Sequence, residues 1–362
     1  MFGLNCLSSV FSTILYIALA IIVLLLMVLI HETGHYVAGR ILKFKINEFS
    51  IGFGKAIFSK TNKRGEKISL RLFPLGGYCA FEGENDDEKS ELKKDSFNAQ
   101  KPWKRIIVYL AGVTFNLISA VVFSFILLVS FGYDIPEVSA IDNRYLNSSA
   151  FQVGDAIYEV DGTKIDFIKE NTLSNLLAKY NEGEKFDLTV KRNGEFVTIQ
   201  VSLQQAFDES NKLLFDEDGK PILRLGISTT SHPLSFGEAL ARCVPFTAGL
   251  VWMVLKSFWL LITFQLPLNQ IGGPITTVSV IASQASQGLS TLLFLLPLIA
   301  ANLGVFNLLP FPALDGAHVI FTTIEWIRKK PINRTVEGYI HFAGLVILFA
   351  FVILVDILHF VS

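Results

Sequence analysis

Long apolar runs alternate with charged segments along this 362-residue chain. No Lys, Arg, Asp or Glu occurs between Met1 and His31, and a second charge-free run covers residues 106–133. A helix of about 20 apolar residues is long enough to cross a bilayer. The pattern predicts a polytopic α-helical membrane protein with four transmembrane helices, at about residues 10–31, 106–131, 290–309 and 338–360.

A further apolar segment, at about residues 240–266, carries Lys256 near its centre. A lysine is costly in the middle of the hydrocarbon layer of a membrane. We therefore predict that this segment forms an interfacial helix rather than a fifth membrane span.

The segments between the predicted spans differ in charge. Residues 40–105 contain 15 Lys or Arg and 9 Asp or Glu, whereas residues 132–235 contain 10 and 17. The short connection at residues 328–334 is also basic. Because basic loops are retained in the cytoplasm, residues 40–105 and 328–334 are predicted to be cytoplasmic and residues 132–235 to lie outside.

The amino-acid composition narrows the class of protein further. Hydrophobic residues make up 51% of the chain and charged residues 17%, whereas about a quarter of the residues in a soluble domain are charged. This composition excludes an ordinary soluble enzyme and makes the lipid bilayer the expected environment. The net charge of −1 argues against nucleic acid as a partner.

The first predicted span ends in the motif His31-Glu32-Thr33-Gly34-His35. Positions i and i+4 of a helix share one face, so both imidazoles can bind one metal ion. Glu32 lies beside them, where it can act as a base toward a water molecule activated by the metal. The alternative is that His31 and Glu32 only mark the end of the membrane span.

A catalytic zinc ion usually has three protein ligands and one water molecule. Asp315 is the only charged residue between positions 256 and 325, and it follows the third predicted span. The predicted topology brings that span out of the membrane on the same side as His35. We therefore predict Asp315 as the third ligand, and we interpret His318, a competing candidate, as a packed helix histidine.

Six segments resemble the site-2 protease family of intramembrane zinc metalloproteases, and in particular its bacterial regulator-of-sigma-E protease (RseP) type. They are HETGHYVAGR (31–40), IGFGKAIFS (51–59), RLFPLGGYCAFEGE (71–84), AGVTFNL (111–117), IGGPI (271–275) and NLGVFNLLPFPALDG (302–316). The resemblance implies that one Zn2+ ion is bound by His31, His35 and Asp315. It also implies that Glu32 is the catalytic base.

The resemblance further implies residues that contact the substrate. Asn302 and Asn307 would lie near the site, with Asn307 touching the substrate backbone. In the sequence alone, Asn307 could equally be a cap or turn residue before Pro310. Gly112 and Asn116 lie one turn apart in the second span, which suggests either a contact beside the substrate channel or plain helix packing.

Residues 51–60 and 67–73 alternate around a turn at residues 61–65, which predicts a β-hairpin. The family implies that a hairpin at about residues 48–84 re-enters the membrane and pairs, as an added strand, with an unwound substrate. A simple amphipathic hairpin in the cytoplasm is the alternative. Glycines that would allow close approach of the substrate backbone are Gly52, Gly54, Gly76 and Gly77.

Residues 134–228 form a polar and acidic segment that is rich in predicted strands. Asp161-Gly162 and Asn193-Gly194 are signals for tight turns. The run at residues 149–162 resembles a circularly permuted PDZ domain of bacterial proteases, and the segment has room for one such domain. The implied role is to exclude bulky ectodomains from the site. The sequence leaves two functions for this domain equally open, peptide binding and purely steric exclusion.

Together with these patterns, the resemblance implies an intramembrane zinc endopeptidase of the bacterial cytoplasmic membrane, with membrane cores at 1–131 and 236–362. The expected substrates are single-span membrane proteins, such as anti-sigma factors or remnant signal peptides. A membrane metal transporter that uses the same ligands is one alternative, which the clustering of charges near one membrane face disfavours. A noncatalytic scaffold built around the outer domain is another, and the intact metal motif disfavours it.

Overall fold

A computed structural model of the protein describes residues 2–84, 96–133, 135–166, 171–208, 210–216, 219–265 and 272–361. Ile271 of the IGGPI motif lies outside these ranges, as do several positions of the predicted outer domain. The chain divides into two compact units, the first made of Met1–Phe123 and Leu250–Ser362 and the second of Ser124–Gly249. The domain boundaries drawn from the sequence stay predictions.

The described residues contain eight α-helices and ten β-strands. The helices are α1 (Phe2–Ile41), α2 (Pro102–Ser130), α3 (Leu173–Leu177), α4 (Phe236–Ile262), α5 (Pro274–Gln287), α6 (Leu289–Leu308), α7 (Asp315–Arg328) and α8 (Arg334–Val361). The strands are β1 (Ile46–Thr61), β2 (Lys67–Phe81), β3 (Pro136–Ile141), β4 (Ala156–Val160), β5 (Thr163–Lys164), β6 (Lys185–Arg192), β7 (Glu195–Ser202), β8 (Gln204–Gln205), β9 (Leu223–Arg224) and β10 (Ile227–Ser231).

Five helices in the described part of the chain are long and apolar enough to cross a membrane. They are α1 from Phe11, α2, α4, α6 and α8 up to His359. Four of them match the predicted spans. The fifth, α4, covers the segment predicted as an interfacial helix, so the number of spans stays a prediction. Two shorter helices, α5 and α7, had no bounds in the sequence-based assignment, which placed only His318 of α7 in a helix.

Helix α1 continues without a break through the HETGH motif and ends at Ile41. It crosses α2 closely at Gly34, where a Cβ atom would collide with the carbonyl oxygen of Ala111. Small residues at such a crossing allow two membrane helices to approach each other. The crossing brings the metal motif of α1 against the middle of α2.

The connection between α6 and α7 is short and tightly folded. Helix α6 ends at Leu308 because Pro310 and Pro312 cannot continue it. Helix α7 begins at Asp315, and a Cβ atom at the next residue, Gly316, would collide with the carbonyl oxygens at the end of α6. The absence of that Cβ lets the chain fold back directly, which places Asp315 at the first turn of α7.

Strands β1 and β2 confirm the predicted hairpin and extend it. Residues 58–61 pair with residues 67–70, as expected. Residues 48–51 of β1 pair along both edges, with residues 67–70 on one side and residues 77–80 on the other. The hairpin therefore folds back on itself, which the alternating pattern did not predict.

The turn of the hairpin is fixed to α1 by polar side chains. Asn62 Oδ1 accepts hydrogen bonds from the amides of Arg64 and Glu66, at 2.8 and 3.1 Å. The buried Glu66 carboxylate accepts from Arg40 at 2.5 Å and from the Tyr36 hydroxyl at 3.0 Å. These contacts hold the hairpin alongside the second half of α1.

The second unit contains a sheet with strand order β10-β3-β4-β6-β7, to which β5 adds by pairing with β4. The predicted turns are confirmed, because Asp161-Gly162 and Asn193-Gly194 all have positive φ and join β4 to β5 and β6 to β7. Alternate residues of the strands form one buried apolar core, which includes Val138, Ile157, Leu188, Val190 and Val201.

Candidate metal centre

Three side chains from two distant parts of the chain meet in the first unit. His31 Nε2 and His35 Nε2 lie 3.2 Å apart, and they lie 3.2 and 3.3 Å from Oδ2 of Asp315. Two ligands of one tetrahedral zinc ion, each about 2.0–2.1 Å from the metal, are about 3.3–3.4 Å apart. The three atoms therefore have the spacing of a zinc site, and the two rings are nearly perpendicular, at 87°.

The tautomer of His35 is set by helix α2. Nδ1 of His35 lies 2.8 Å from the carbonyl oxygen of Val108. A carbonyl can only accept, so Nδ1 carries the proton and donates it. The lone pair of Nε2 is then free to bind a metal ion, and the ring is fixed in the orientation that presents it.

His31 has a comparable partner in Asn116, which is fully buried. The side-chain nitrogen of Asn116 lies 2.9 Å from Nδ1 of His31, and Oδ1 of Asn116 has no hydrogen-bond partner among the described residues. The two ends of the amide have the same shape. Rotating the amide by half a turn satisfies Oδ1 with the Nδ1–H of His31 and leaves Nε2 of His31 free for a metal ion.

Helix α2 leaves space beside the three ligand atoms. A Cβ atom at Gly112 would lie 2.5 Å from His35 Nε2 and 2.7 Å from His31 Cε1. Only glycine therefore leaves that side of the ligand cluster open. The donor set, its spacing and this bare backbone all fit a zinc ion held by His31, His35 and Asp315.

Glu32 lies between the metal motif and the hairpin. The backbone amide of Cys79, in β2, faces its carboxylate. A Cβ atom at Gly77 would lie 3.0 Å from Cγ of Glu32 and 2.8 Å from the carbonyl oxygen of Ser50. The bare backbone at Gly77 thus lets β2 approach the carboxylate next to the metal ligands.

A cavity of about 500 Å³ opens beside these residues. Its wall includes the three ligands and Glu32, together with Gly76, Gly77, Asn307 and apolar side chains of α8. Asn307 also donates a hydrogen bond to the carbonyl oxygen of Leu303, at 3.0 Å. Asn307, Gly76 and Gly77 are thus near the site, where a substrate could reach them.

The remaining predicted contact residues lie elsewhere. Asn302 is exposed and does not line the described cavity wall. Gly52 and Gly54 have φ of +85° and +84°, and the space beside them is filled by Phe73. Asn116 lies behind His31 rather than in the cavity wall. Their roles toward a substrate stay predictions.

Several residues at the site had no sequence signal of their own. Val108 contributes its carbonyl oxygen, and Cys79 its amide. His341, in α8, accepts a hydrogen bond from the amide of Ala313 in the loop before Asp315. His318 lies in the cavity wall but outside the ligand triad.

The fold and this site define a class of protein, a multi-pass membrane protein with a candidate His-His-Asp metal centre on an HExxH helix. Residues 19–351 match the sequence profile of peptidase family M50, and the chain belongs to that family.

Related proteins agree with this assignment. The chain is 28% identical to a protein of Fusobacterium nucleatum over 94% of its own length and 96% of the relative. It is 31% identical to one of Campylobacter jejuni, over 91% and 88%. A Clostridium perfringens protein is 29% identical over 95% and 98%. Each carries a name that assigns it provisionally to the zinc metalloproteases.

Proposed function

We propose that His31, His35 and Asp315 hold a catalytic zinc ion and that Glu32 is the general base for peptide hydrolysis inside the membrane. The observation that carries this proposal is the triangle of ligand atoms, 3.2–3.3 Å on each side, next to Glu32. Family membership and the names of the relatives make the chain a zinc metalloendopeptidase. Nothing in this arrangement requires a serine or cysteine nucleophile.

Each residue of the site would have a separate role in hydrolysis. Zinc, when bound, supplies a Lewis acid that polarises the scissile carbonyl and acidifies water. Glu32 accepts a proton from the attacking water and returns it to the leaving amine. Val108 and Asn116 keep the two imidazoles oriented through their Nδ1 atoms. The amide of Cys79 holds the Glu32 carboxylate toward the cavity.

The substrates would be transmembrane segments of single-span membrane proteins, such as anti-sigma factors or remnant signal peptides. A helical segment hides its peptide bonds, so it has to unwind before hydrolysis. The position of β2 in the cavity wall supports pairing of the unwound segment with this strand. Exposed apolar side chains of the hairpin, including Phe53 and Phe73, favour re-entry of the hairpin into the membrane.

We extend the proposal to membrane orientation and to the outer domain. The basic loops support a bacterial cytoplasmic membrane location with the metal centre toward the cytoplasm. Residues 134–228 would form one extracytoplasmic PDZ-like domain between membrane cores at 1–131 and 236–362. Its six-stranded sheet and short helix α3 are compatible with that fold. The proposed role is to exclude bulky ectodomains from the metal centre.

The test is cleavage in membranes that contain the chain and tagged single-span substrates. Glu32→Gln should keep zinc and lose cleavage by about 100-fold or more, since it removes the general base. Glu195→Gln, an exposed carboxylate in β7, serves as the matched control and should cleave normally. Equal cleavage by the wild type and Glu32→Gln would rule out this mechanism.

A metal-flux assay in sealed vesicles separates the enzyme from the transporter alternative. The proposed enzyme should bind zinc without moving it across the bilayer. Zinc accumulation that depends on His31 and His35 would instead support transport.

A further inference from the structure

The loop that presents Asp315 has an unusual backbone conformation. Ala313, two residues before Asp315, has φ of +82°, a region that residues other than glycine rarely adopt. Its amide donates a hydrogen bond to Nδ1 of His341, at 2.9 Å. His341 lies in α8, 28 residues further along the chain. A side chain of another helix thus holds the strained residue next to the metal ligand.

Helix α8 touches the same loop at a second point. A Cβ atom at Gly344, one turn after His341, would lie 2.7 Å from the carbonyl oxygen of Pro312. The bare backbone of α8 therefore packs directly on the residue before Ala313. Two successive residues of the loop are held by one helix, which defines the position of Asp315.

The His341 ring is itself fixed by its neighbours. It stacks on His318 with ring centroids 3.9 Å apart, and His318 stacks on Tyr109 of α2 at 4.9 Å. Two turns away from His318 and His341, Glu325 of α7 forms ion pairs with an arginine of α2 and one of α8. Glu325 accepts from Arg105 and from Arg334, at 2.7 Å each. The stacked rings leave the His341 ring little freedom to turn away from the loop.

His318, Glu337 and His341 also offer three ligand atoms within 4.8 Å of one another. Their geometry does not suit a second metal ion. The two imidazole rings are stacked nearly parallel, at 10°, and a nitrogen lone pair lies in the plane of its ring. One ion cannot lie in both planes, and Nδ1 of His341 already accepts from Ala313. The perpendicular rings of His31 and His35 are the contrasting case.

We propose that His341 is a positioning residue, which fixes Ala313 and thereby the direction in which Asp315 faces the metal. This inference rests on the proposed zinc site. It assigns to α8 a function in metal binding, although none of the three ligands comes from that helix.

The test compares two substitutions in the full chain, purified in detergent micelles. His341→Asn keeps an acceptor at the position of Nδ1, whereas His341→Leu does not. Zinc affinity is measured by competition with a chelator, and ligand geometry by the visible spectrum of the Co2+-loaded protein. We expect His341→Leu to lose about 10–100-fold in affinity, as for other residues that orient metal ligands, with a changed Co2+ spectrum. His341→Asn should keep the wild-type spectrum.

A second substitution distinguishes loop positioning from general damage. Ala313→Gly in the His341→Leu background should recover zinc affinity by at least about threefold, because glycine adopts positive φ without cost. Gly344→Ala leaves His341 in place and should also weaken zinc binding, by displacing Pro312. It provides an independent answer in case His341→Leu fails to fold. His359→Leu, in the last turns of α8, is the matched control.

Three results would overturn the inference. The first is a folded His341→Leu variant with the wild-type zinc affinity and Co2+ spectrum. The second is an equal loss of zinc affinity in His341→Asn and His341→Leu. The third is a second zinc ion per chain that both variants lose. His31→Ala tests the proposed function separately. If His31→Ala keeps the wild-type zinc affinity, the proposed site itself is wrong. If only His341→Leu keeps the wild-type affinity, the positioning role alone is wrong.

Discussion

Two aspartates in the first unit, Asp315 and Asp356, have contrasting surroundings. Asp356, only 5% exposed, lies in the last turns of α8. It accepts hydrogen bonds from the amides of Gly273, Ile275 and Thr276, all at 3.1 Å, and from the Thr276 hydroxyl at 2.8 Å. These amides are the unpaired donors at the start of α5, so Asp356 caps that helix from a distance.

Asp315 faces two imidazole nitrogens instead of backbone amides. An amide nitrogen cannot bind a metal ion in this setting, whereas a neutral imidazole can. A carboxylate among apolar helices is therefore not a functional signal by itself. The groups around it decide whether it stabilises the fold or serves a reaction, and the two aspartates should respond differently to substitution.

The largest difference is expected for Asp315→Ala. Loss of an outer partner of a metal ligand costs about 10–100-fold in affinity, so loss of a ligand should cost more than about 100-fold and abolish cleavage. The thermal unfolding of the zinc-free protein should change little. Zinc content by atomic absorption and cleavage in membranes measure both effects. Wild-type zinc content in Asp315→Ala would remove Asp315 from the site.

Asp356→Ala should show the opposite profile. Its removal leaves several buried donors at the start of α5 unsatisfied, so we expect a loss of about 1–3 kcal/mol in stability. Zinc stoichiometry at saturating zinc should stay at the wild-type value. Thermal unfolding in micelles measures the first quantity and metal analysis the second. Asp356→Asn keeps one acceptor oxygen and should lose less; a loss of zinc without a loss of stability would contradict the capping role.

The parts of the site that could be predicted follow from local rules. His31 and His35 are four residues apart on one helix, and the helical period places such residues on the same face. Asp315 was conspicuous because a charge in an apolar region is rare. The tight turns of the second unit were predicted from Asp161-Gly162 and Asn193-Gly194, because adjacent residues encode the required φ values.

The missed parts depend on contacts between distant elements. The hydrogen bond from Ala313 to His341 forms only because α8 passes over the loop before Asp315, and no pattern within α8 encodes that approach. The contribution of Val108 is a carbonyl oxygen, which every residue type possesses. The second pairing of residues 48–51 likewise depends on how the hairpin folds back. Such features follow from tertiary packing, which neither periodicity nor composition specifies.

A third aspartate, Asp155 of the second unit, extends the comparison to a smaller effect. It is 1% exposed and accepts two hydrogen bonds from Arg192, at 2.8 and 2.7 Å, and one from the amide of Gln152. Burial by itself would raise the pKa of Asp155, but these hydrogen bonds outweigh it and hold the pKa below its ordinary value. Like Asp356, it is satisfied by donors that cannot bind a metal ion.

The lowered pKa of Asp155 predicts a pH dependence in the second unit. A carboxyl group with a lower pKa in the folded than in the unfolded state stabilises the fold above its unfolded pKa, about 3.9 for Asp. That stabilisation is lost as the pH falls below about 4 through the folded pKa. Hydrogen exchange of β4 and β6 in the full chain, corrected for the intrinsic exchange rate, should therefore show protection that decreases on acidification.

Asp155→Asn should flatten this decrease. Asp187→Asn, which changes an exposed carboxylate in β6, should not. Zinc affinity measured at neutral pH should be the same in both variants, because Asp155 stabilises the second unit and contributes nothing to the metal centre. An unchanged pH profile in Asp155→Asn would mean that the Arg192 pair does not couple protonation to folding.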